Sequence, residues 1–426
     1  MRIHQNPDRE SWNTLCQRPA NDLSNLEQTV RMVMNTVRDN GDAALRDYTA
    51  RFDGVDLDDF AVSPEAIAAA GDQVPGELRE AIQTAKRNIE TFHRSQQTAP
   101  EEVETMPGVR CWRESRGIDR VGLYIPGGTA PLFSTVLMLA VPAAIAGCKE
   151  IVLCSPPNKE GAIHPAILYT ADLCGVTKIF RIGGSQAIAA MTYGTDTVPK
   201  MYKIFGPGNA YVTVAKQLAS MEGLAIDMPA GPSEVLVCAD AGAKDTHVAA
   251  DLLSQAEHGH DSQVVLLTDT PEKAASVKAE VLRQLAELPR EALASESIEN
   301  SFTLVFPDWN DAADFVDAYA PEHLILSMEN ARDFAGKISN AGSVFLGYHT
   351  PESVGDYASG TNHTLPTYGY ARQYSGVSLD SFVKKITFQE LSPEGLRNIG
   401  PTVECMAEAE QLHAHRNAVS LRLNDL

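Results

Sequence analysis

Gln255-Ala-Glu-His258 closes a helix-like segment and sets an amide and an imidazole at i and i+3. Both side chains can lie on one helix face and grip one ion, while Glu257 points elsewhere. A single histidine at a helix end is more often a surface or capping residue, so the reading rests on several clusters together. Glu322-His323 follows Pro321 just before a strand-like run, which places a carboxylate and an imidazole at a loop. Asp356 lies in the polar, glycine-rich stretch PESVGDYASGTNHTLPT with His363 close by, and His413 and His415 stand near Glu410 on a helical tail. A Gln, His, Asp, His donor set is all nitrogen and oxygen. It suits Zn²⁺, Mn²⁺ or another first-row ion and excludes a structural thiolate site.

These residues must be held by a scaffold, and the hydrophobic pattern describes one. Residues from about 25 to 98 read as helical, with Leu26, Val30, Met32, Val33 and Val37 near a 3.6-residue period and a stop at Asn40-Gly41. From Arg120 the pattern alternates. RVGLYIPGG, EIVLCSPP, KIFRIGG and MYKIFGPG are strand-like runs ending in Gly or Pro, with helix-like segments between them. The same rhythm resumes after Pro232 with SEVLVCAD, SQVVLLTD, FTLVF, HLILSM and GSVFLG. Apolar strands alternating with helices predict parallel sheets with crossover helices. Beyond Ser378 the rhythm stops, FVKKITFQELSPEGL is short and mixed, and VECMAEAEQLHAHRNAVSLRL reads as one amphipathic helix. In parallel sheets ligands gather at the C-terminal strand ends. The turns Tyr124-Ile-Pro-Gly-Gly128, Gly183-Gly-Ser-Gln186 and Gly206-Pro-Gly-Asn209 therefore suit a nucleotide or another anion, or are simply tight turns. No complete GxGxxG occurs, since Tyr211 stands at the third glycine position.

The 426 residues imply two or three domains, and 44% hydrophobic with 21% charged residues is an ordinary globular composition. Asp+Glu 56 against Lys+Arg 35 gives a net charge of −21, which disfavours phosphate backbones and anionic membranes and favours a basic small molecule. No nucleic acid or membrane partner is expected. Seven scattered cysteines without a CxxC pair read as reduced core thiols of a cytoplasmic protein, and the N-terminus has no apolar signal region. Residues 121–148 carry no charge, but their prolines and glycines mark a strand, turn and buried helix rather than a membrane span.

Taken with VGLYIPGGTAPLFSTVLM, FGPGNAYVTVAK, DMPAGPSEVLV, SQAEHG, YAPEHL, GSVFLG, GDYASGTNHTLPT and AEAEQLHAH, the chain resembles the histidinol dehydrogenases from about residue 25 to its C-terminus. The resemblance implies two tandem incomplete Rossmann-like doubly wound α/β domains, with an N-terminal arm and a C-terminal helical tail that intertwine in a homodimer. The expected boundaries are 1–24 for the arm, 25–122 with 234–377 for the metal and catalytic domain, 123–233 for the NAD domain and 378–426 for the tail. It further implies one Zn²⁺ per subunit on Gln255, His258, Asp356 and His415, and catalysis by Glu322 and His323. Substrate contacts would come from Ser233, Gln255, His258, His323, Asp356, Glu410 and His415, and NAD contacts from Tyr124, Gln186 and Asn209. The implied reaction is four-electron oxidation of L-histidinol, through the aldehyde, to L-histidine, at a site shared between subunits. Three rivals stand beside it. One is a zinc- and NAD-dependent relative acting on another amino or sulfonated alcohol, which would want Arg or Lys in the pocket. Another is an aldehyde dehydrogenase using Cys111, Cys148 or Cys154 as its thiol. The last is a non-catalytic zinc-binding protein on the same fold.

Overall fold

The computed structural model describes residues 1–18, 24–127, 130–229 and 231–426. Gly128, part of the first glycine turn above, lies outside the described residues, as does the stretch 19–23 of the expected arm. The chain begins with strand β1 (Arg2–Gln5) and helix α1 (Arg9–Leu15), whose N-cap Asp8 accepts the Ser11 amide at 2.8 Å. Helices α2 (Ser24–Asn40), α3 (Asp42–Tyr48), α4 (Pro64–Ala69) and α5 (Gly76–Arg94) follow. Residues 54–63 interrupt the helical stretch expected over 25–98. The buried face of α2 is Val30, Val33, Met34 and Val37, spaced i, i+3, i+4, i+7. Met32 is 62% exposed, because two residues past Val30 the helix has turned about 200° away from the core. Gly41 ends the helix with φ 54°, a conformation that costs glycine little.

Strands β2 (Glu102–Met106) and β3 (Val109–Gly117) lead into the first parallel sheet. That sheet is built from β4 (Arg120–Tyr124), β5 (Glu150–Ser155), β6 (Lys178–Arg181), β7 (Lys203–Phe205) and β8 (Ala225–Ile226). Its crossovers are α6 (Phe133–Ala146), α7 (Pro165–Leu173), α8 (Gly184–Tyr193) and α9 (Ala210–Met221). The strand order β6-β5-β4-β7-β8 is that of a doubly wound half, with its switch point between β4 and β7. Helix α6 is buried from Ser134 to Ala143, which accounts for the uncharged stretch. Among the described residues no helix is long and apolar enough to cross a membrane.

The second sheet repeats the winding. Strands β9 (Glu234–Ala239), β10 (Gln263–Thr268), β11 (Phe302–Val305), β12 (His323–Ser327) and β13 (Ser343–Leu346) lie in the order β11-β10-β9-β12-β13. Between and after them run α10 (Asp245–Ala256), α11 (Pro271–Leu285), α12 (Glu291–Glu299), α13 (Trp309–Tyr319), α14 (Ala331–Ala335) and α15 (Glu352–Tyr357). The fold is thus two tandem Rossmann-like doubly wound units, as expected. The N-terminal segment joins the second one: β1 adds in parallel beside β11, and Trp12 packs edge-on against Phe306 and Phe315. Core packing divides the chain otherwise than the boundaries expected from the sequence. Val30, Met34, Val37 and Leu45 share a cluster with Tyr124 and Phe180, and Ile82 and Ile89 share one with Val121 and Leu139. The helices of 24–94 therefore cover the first sheet rather than the 234–377 unit, because they dock on the sheet that follows them directly in the chain.

A third, antiparallel sheet was not expected. Strand β14 (Val383–Leu391) pairs along the whole of β3, which pairs in turn with β2. The tail is two helices, α16 (Pro393–Ala409) and α17 (His413–Asn424), not one. They break at Gln411, whose φ of 59° lies outside the helical region. Phe382, fully buried just before β14, stacks on Phe205 with ring centroids 4.0 Å apart and ties the tail segment to the first sheet. Phe382→Ala should destabilise the protein by roughly 3–5 kcal/mol. Urea unfolding followed by near-UV circular dichroism would measure this, and an unchanged midpoint would contradict it.

Candidate active site

His323 opens β12 beside β9, and Glu322 immediately precedes it. Both are buried. The Glu234 carbonyl accepts a hydrogen bond from His323 Nδ1 at 3.3 Å; a carbonyl can only accept, so Nδ1 carries the proton. Glu322 Oε2 lies 3.6 Å from the same nitrogen and accepts the Glu234 amide at 2.9 Å. On the other side of the ring, Nε2 faces Asp356 Oδ1 at 3.4 Å and Glu352 Oε1 at 4.0 Å. Burial pushes the Glu322 carboxyl up, with His323 pulling partly back. Desolvation alone would lower the His323 pKa, but Glu322 and Asp356 outweigh it and hold the imidazolium well above its ordinary range.

Helix α10 runs back antiparallel to β9, so its last turn brings Gln255 to the starting edge of the strands. Gln255 donates Nε2 to Glu352 Oε1 at 2.5 Å, and Ser254 Oγ donates to Glu352 Oε2 at 2.9 Å. Glu352 was not singled out from the sequence. Its spacing of four from Asp356 on α15 was the available signal, since i and i+4 share a helix face. Burial and the Asp356 charge push Glu352 up; burial opposes the Asp356 carboxylate too, but His323 and Glu352 outweigh it and keep Asp356 ionised. His323, Glu352 and Asp356 offer ligand atoms within 4.8 Å of one another. Gln255 Oε1, Asp356 Oδ1 and His323 Nε2 are buried without a hydrogen-bond partner. The two oxygens among them, on Gln255 and Asp356, are buried acceptors without hydrogen-bonded donors, which favours a cation. His258, just beyond α10, lies at the rim of this cluster, and partial desolvation lowers its pKa, which favours the neutral imidazole a metal needs.

The three expected cofactor residues gather at the switch point of the first sheet. Tyr124 ends β4; its hydroxyl accepts the Gly184 amide at 3.0 Å, and burial pushes it up to about 12. Gln186 is buried on the first turn of α8, and Asn209 is the exposed N-cap of α9, accepting the Val212 amide at 3.2 Å. A Cβ on Gly127 or Gly183 would lie 2.2 or 2.4 Å from Pro156, so these turns close tightly over β5. At Gly206 the amide donates to Asp227 and the carbonyl accepts from Lys216, and those two buried residues pair with each other. A seam joins the two halves: His363 Nδ1 donates to the Asp356 carbonyl at 2.8 Å, and Thr135 Oγ1 on α6 donates to His363 Nε2 at 3.2 Å. Asn362 adds a bond to the Met138 carbonyl at 2.6 Å.

Ser233 is half-buried just before β9, and its carbonyl accepts the Gln263 amide at 3.2 Å. Glu410 and His415 are exposed on the tail, where α17 packs on α16 and α16 on β2, β3 and β14. The single chain therefore assembles Glu322, His323, Gln255 and Asp356, sets His258 at the rim, and leaves Glu410 and His415 on the tail. Among the candidate thiols, burial pushes Cys148 up to about 11 and raises Cys154 further, the opposite of an activated nucleophile. Cys111 lies on β3 in the antiparallel sheet.

The histidinol dehydrogenase family model matches residues 16–423. The chain belongs to the histidinol dehydrogenase family. It is 60% identical over its full length, and that of the relative, to a histidinol dehydrogenase of Bacteroides thetaiotaomicron. Against the Escherichia coli K12 enzyme it is 54% identical over 98% of this chain and 96% of that one. The crystal structure of histidinol dehydrogenase from Elizabethkingia anophelis superposes with a TM-score of 0.98 at 55% identity, covering 100% of this chain and 98% of the other. Members of this family are oxidoreductases, and both the dehydrogenase name and the switch-point turns make a nicotinamide cofactor plausible.

Gly206 gives a direct test of the switch-point geometry. It has φ 125°, and a Cβ there would lie 2.1 Å from the Tyr124 carbonyl. Gly206→Ala should cost at least about 1–3 kcal/mol of stability. It should also raise the KM for NAD more than that for the second substrate; equal KM values in a stably folded variant would contradict the assignment.

Proposed function

We propose that this protein is a cytoplasmic histidinol dehydrogenase, oxidising L-histidinol to L-histidine through the aldehyde with two NAD⁺. The observation that carries it is the buried Glu322–His323 pair facing donor-free acceptors, in a chain 60% identical end to end to a named histidinol dehydrogenase. The donor set fits a first-row divalent cation: Gln255, His258 and Asp356 would hold it, with His415 from a partner's tail. When bound, zinc supplies Lewis acidity and a template for chelating the amine and imidazole nitrogens of the substrate. NAD, held by Tyr124, Gln186 and Asn209, supplies the hydride acceptor.

The chain's own groups then divide the acid–base work. With Nδ1 committed to the Glu234 carbonyl, His323 has Nε2 left to take the alcohol proton. The Asp356 charge that keeps this imidazole protonated is also the charge a cation would engage, and engagement leaves Nε2 free to act as a base. The aldehyde must be hydrated before it can give a second hydride. Glu322, buried and raised, is placed to take a proton from that water. Each oxidation releases one hydride and one proton from carbon and oxygen, so two NADH accompany each carboxylate formed. Glu410 offers a carboxylate to the imidazole of the substrate, and the net charge of −21 suits a cationic substrate over a sulfonated one.

Counting two NADH per histidine from histidinol tests the reading, and absence of turnover with metal loaded would end it. Glu322→Gln should slow aldehyde oxidation by roughly 10²–10⁴-fold while alcohol oxidation suffers less. Stopped-flow assays started from alcohol and from aldehyde would compare the steps; equal loss in both would contradict the division of roles.

The tail assignment has its own test. If Glu410 and His415 complete the partner's site, mixing inactive His415→Ala with inactive His258→Ala subunits places both lesions in one site of each heterodimer. Half the dimers are mixed, each with one whole site of two, so activity should return to about a quarter of wild type. No recovery with heterodimers present would leave each protomer self-contained.

A further inference from the structure

Glu234, at the first position of β9, touches both members of the proposed catalytic pair, and it does so with main chain and side chain together. Its amide donates to Glu322 Oε2 at 2.9 Å, its Oε1 accepts the Glu322 amide at 3.2 Å, and its carbonyl accepts His323 Nδ1 at 3.3 Å. The reciprocal pair locks Glu322 from both ends. The third bond fixes the imidazole tautomer that leaves Nε2 free.

This arrangement places two buried carboxylates side by side, which is unfavourable unless one is neutralised. Arg18 does that. Its Nε and Nη2 fork onto Glu234 at 2.7 and 3.0 Å, with 5% and 1% of the two side chains exposed. Every nitrogen of the guanidinium is bonded: Nη1 donates to the Cys16 carbonyl and Nη2 also to the Tyr319 carbonyl, each at 2.8 Å, while Cζ sits 3.5 Å over the Tyr319 ring. Tyr319 is itself fixed, donating its hydroxyl to Gln263 at 2.9 Å. A buried ion pair contributes little net stability compared with apolar residues of the same size. Stability therefore does not explain why it is here, whereas geometry does.

We infer that Glu234 is a positioning residue for Glu322 and His323, and that Arg18, carried on the N-terminal arm, holds Glu234 in that role. The inference rests on the proposed histidinol oxidation, and wild-type turnover measured in parallel separates the two. Without two NADH per histidine from the wild type, both fall.

The decisive variant is the double change Arg18→Met with Glu234→Leu. It removes both charges at once and so leaves no unpaired buried ion. The expected result is a folded enzyme of normal metal content whose kcat is lower by roughly 10–100-fold, the usual effect of misplacing reacting groups by a fraction of an ångström. The KM for histidinol and for NAD should stay within about threefold, because neither residue would touch a ligand. Aldehyde oxidation should fall more than alcohol oxidation, since the one bond the substitution removes, from the Glu322 amide to Glu234 Oε1, acts on Glu322. Arg18→Lys keeps the charge but loses the planar fork. It should recover part of the kcat lost in the double variant, and it serves alone, against wild type, should the double variant not fold. A kcat within twofold of wild type in a folded variant, or a loss confined to KM, overturns the inference.

Discussion

An ionisable pair is kept dry at the start of β12, and the surrounding structure answers to that constraint. A buried carboxylate or imidazolium loses hydration worth several kcal/mol, and only matched partners compensate. Around Glu322 and His323 those partners are arranged by side. Toward β9 they are complete: the main chain and carboxylate of Glu234, with Arg18 behind them. Toward α10 and α15 they are acceptors facing one another, Asp356, Glu352 and the Gln255 amide oxygen, with His323 the cation among them. One face of the imidazole is anchored and the other lies where a cationic substrate or metal would compete for the same oxygens. Such an asymmetric setting suits a group that must hold its orientation while its proton moves.

The two doubly wound sheets use opposite edges. In the first, the turns after β4, β6 and β7 lie at the C-terminal edge, where the strand order switches between β4 and β7. In the second, Glu234, Glu322 and His323 lie at the N-terminal edge, and the expectation that ligands gather at C-terminal strand ends does not extend to them. The cause is the return path of the crossover: α10 ends where β9 begins, so its last turn delivers Gln255 to that edge. The two edges are tied through α6. Thr135, on the first turn of the helix that follows the β4 turn, bonds His363, which holds the Asp356 carbonyl. Burial lowers the His363 pKa and keeps it neutral, so the link is a directed hydrogen bond without added charge.

Much of this was legible in the sequence because a parallel strand covered on both faces reads as an unbroken apolar run. Nine such runs, from RVGLYIPGG to GSVFLG, name the strands of the two parallel sheets, apart from the two-residue β8 and β1. Elements half exposed on charged surfaces escaped: β3 and β14 alternate Arg, Glu, Lys and Ser with apolar residues, and β2 is exposed throughout. The tail break escaped because Gln411 carries no helix-stopping signature. At the site, a histidine beside a carboxylate and an i, i+3 donor pair could be read directly. Arg18 could not, since nothing local links it to Glu234, 216 residues on. Such couplings exist only after topology has set β1 and α1 against the second sheet.

Within one chain the buried cluster holds more carboxylates than cations: Glu234, Glu322, Glu352 and Asp356 against Arg18 and His323. Arg18 is spent on Glu234, so His323 alone faces the remaining three. One further proton on the Glu352–Asp356 pair eases the imbalance, consistent with the opposite shifts of those two groups. A substrate bearing an ammonium group would ease it more, and so would a divalent ion ligated by neutral Gln and His side chains, which add donors without adding charge. An anionic substrate would make it worse. The buried charges of one chain would therefore by themselves favour a basic amino alcohol over a sulfonated one. A histidine and a glutamate brought by a neighbouring tail would refine that choice, since His415 adds a neutral donor and Glu410 a further acceptor for a substrate N–H.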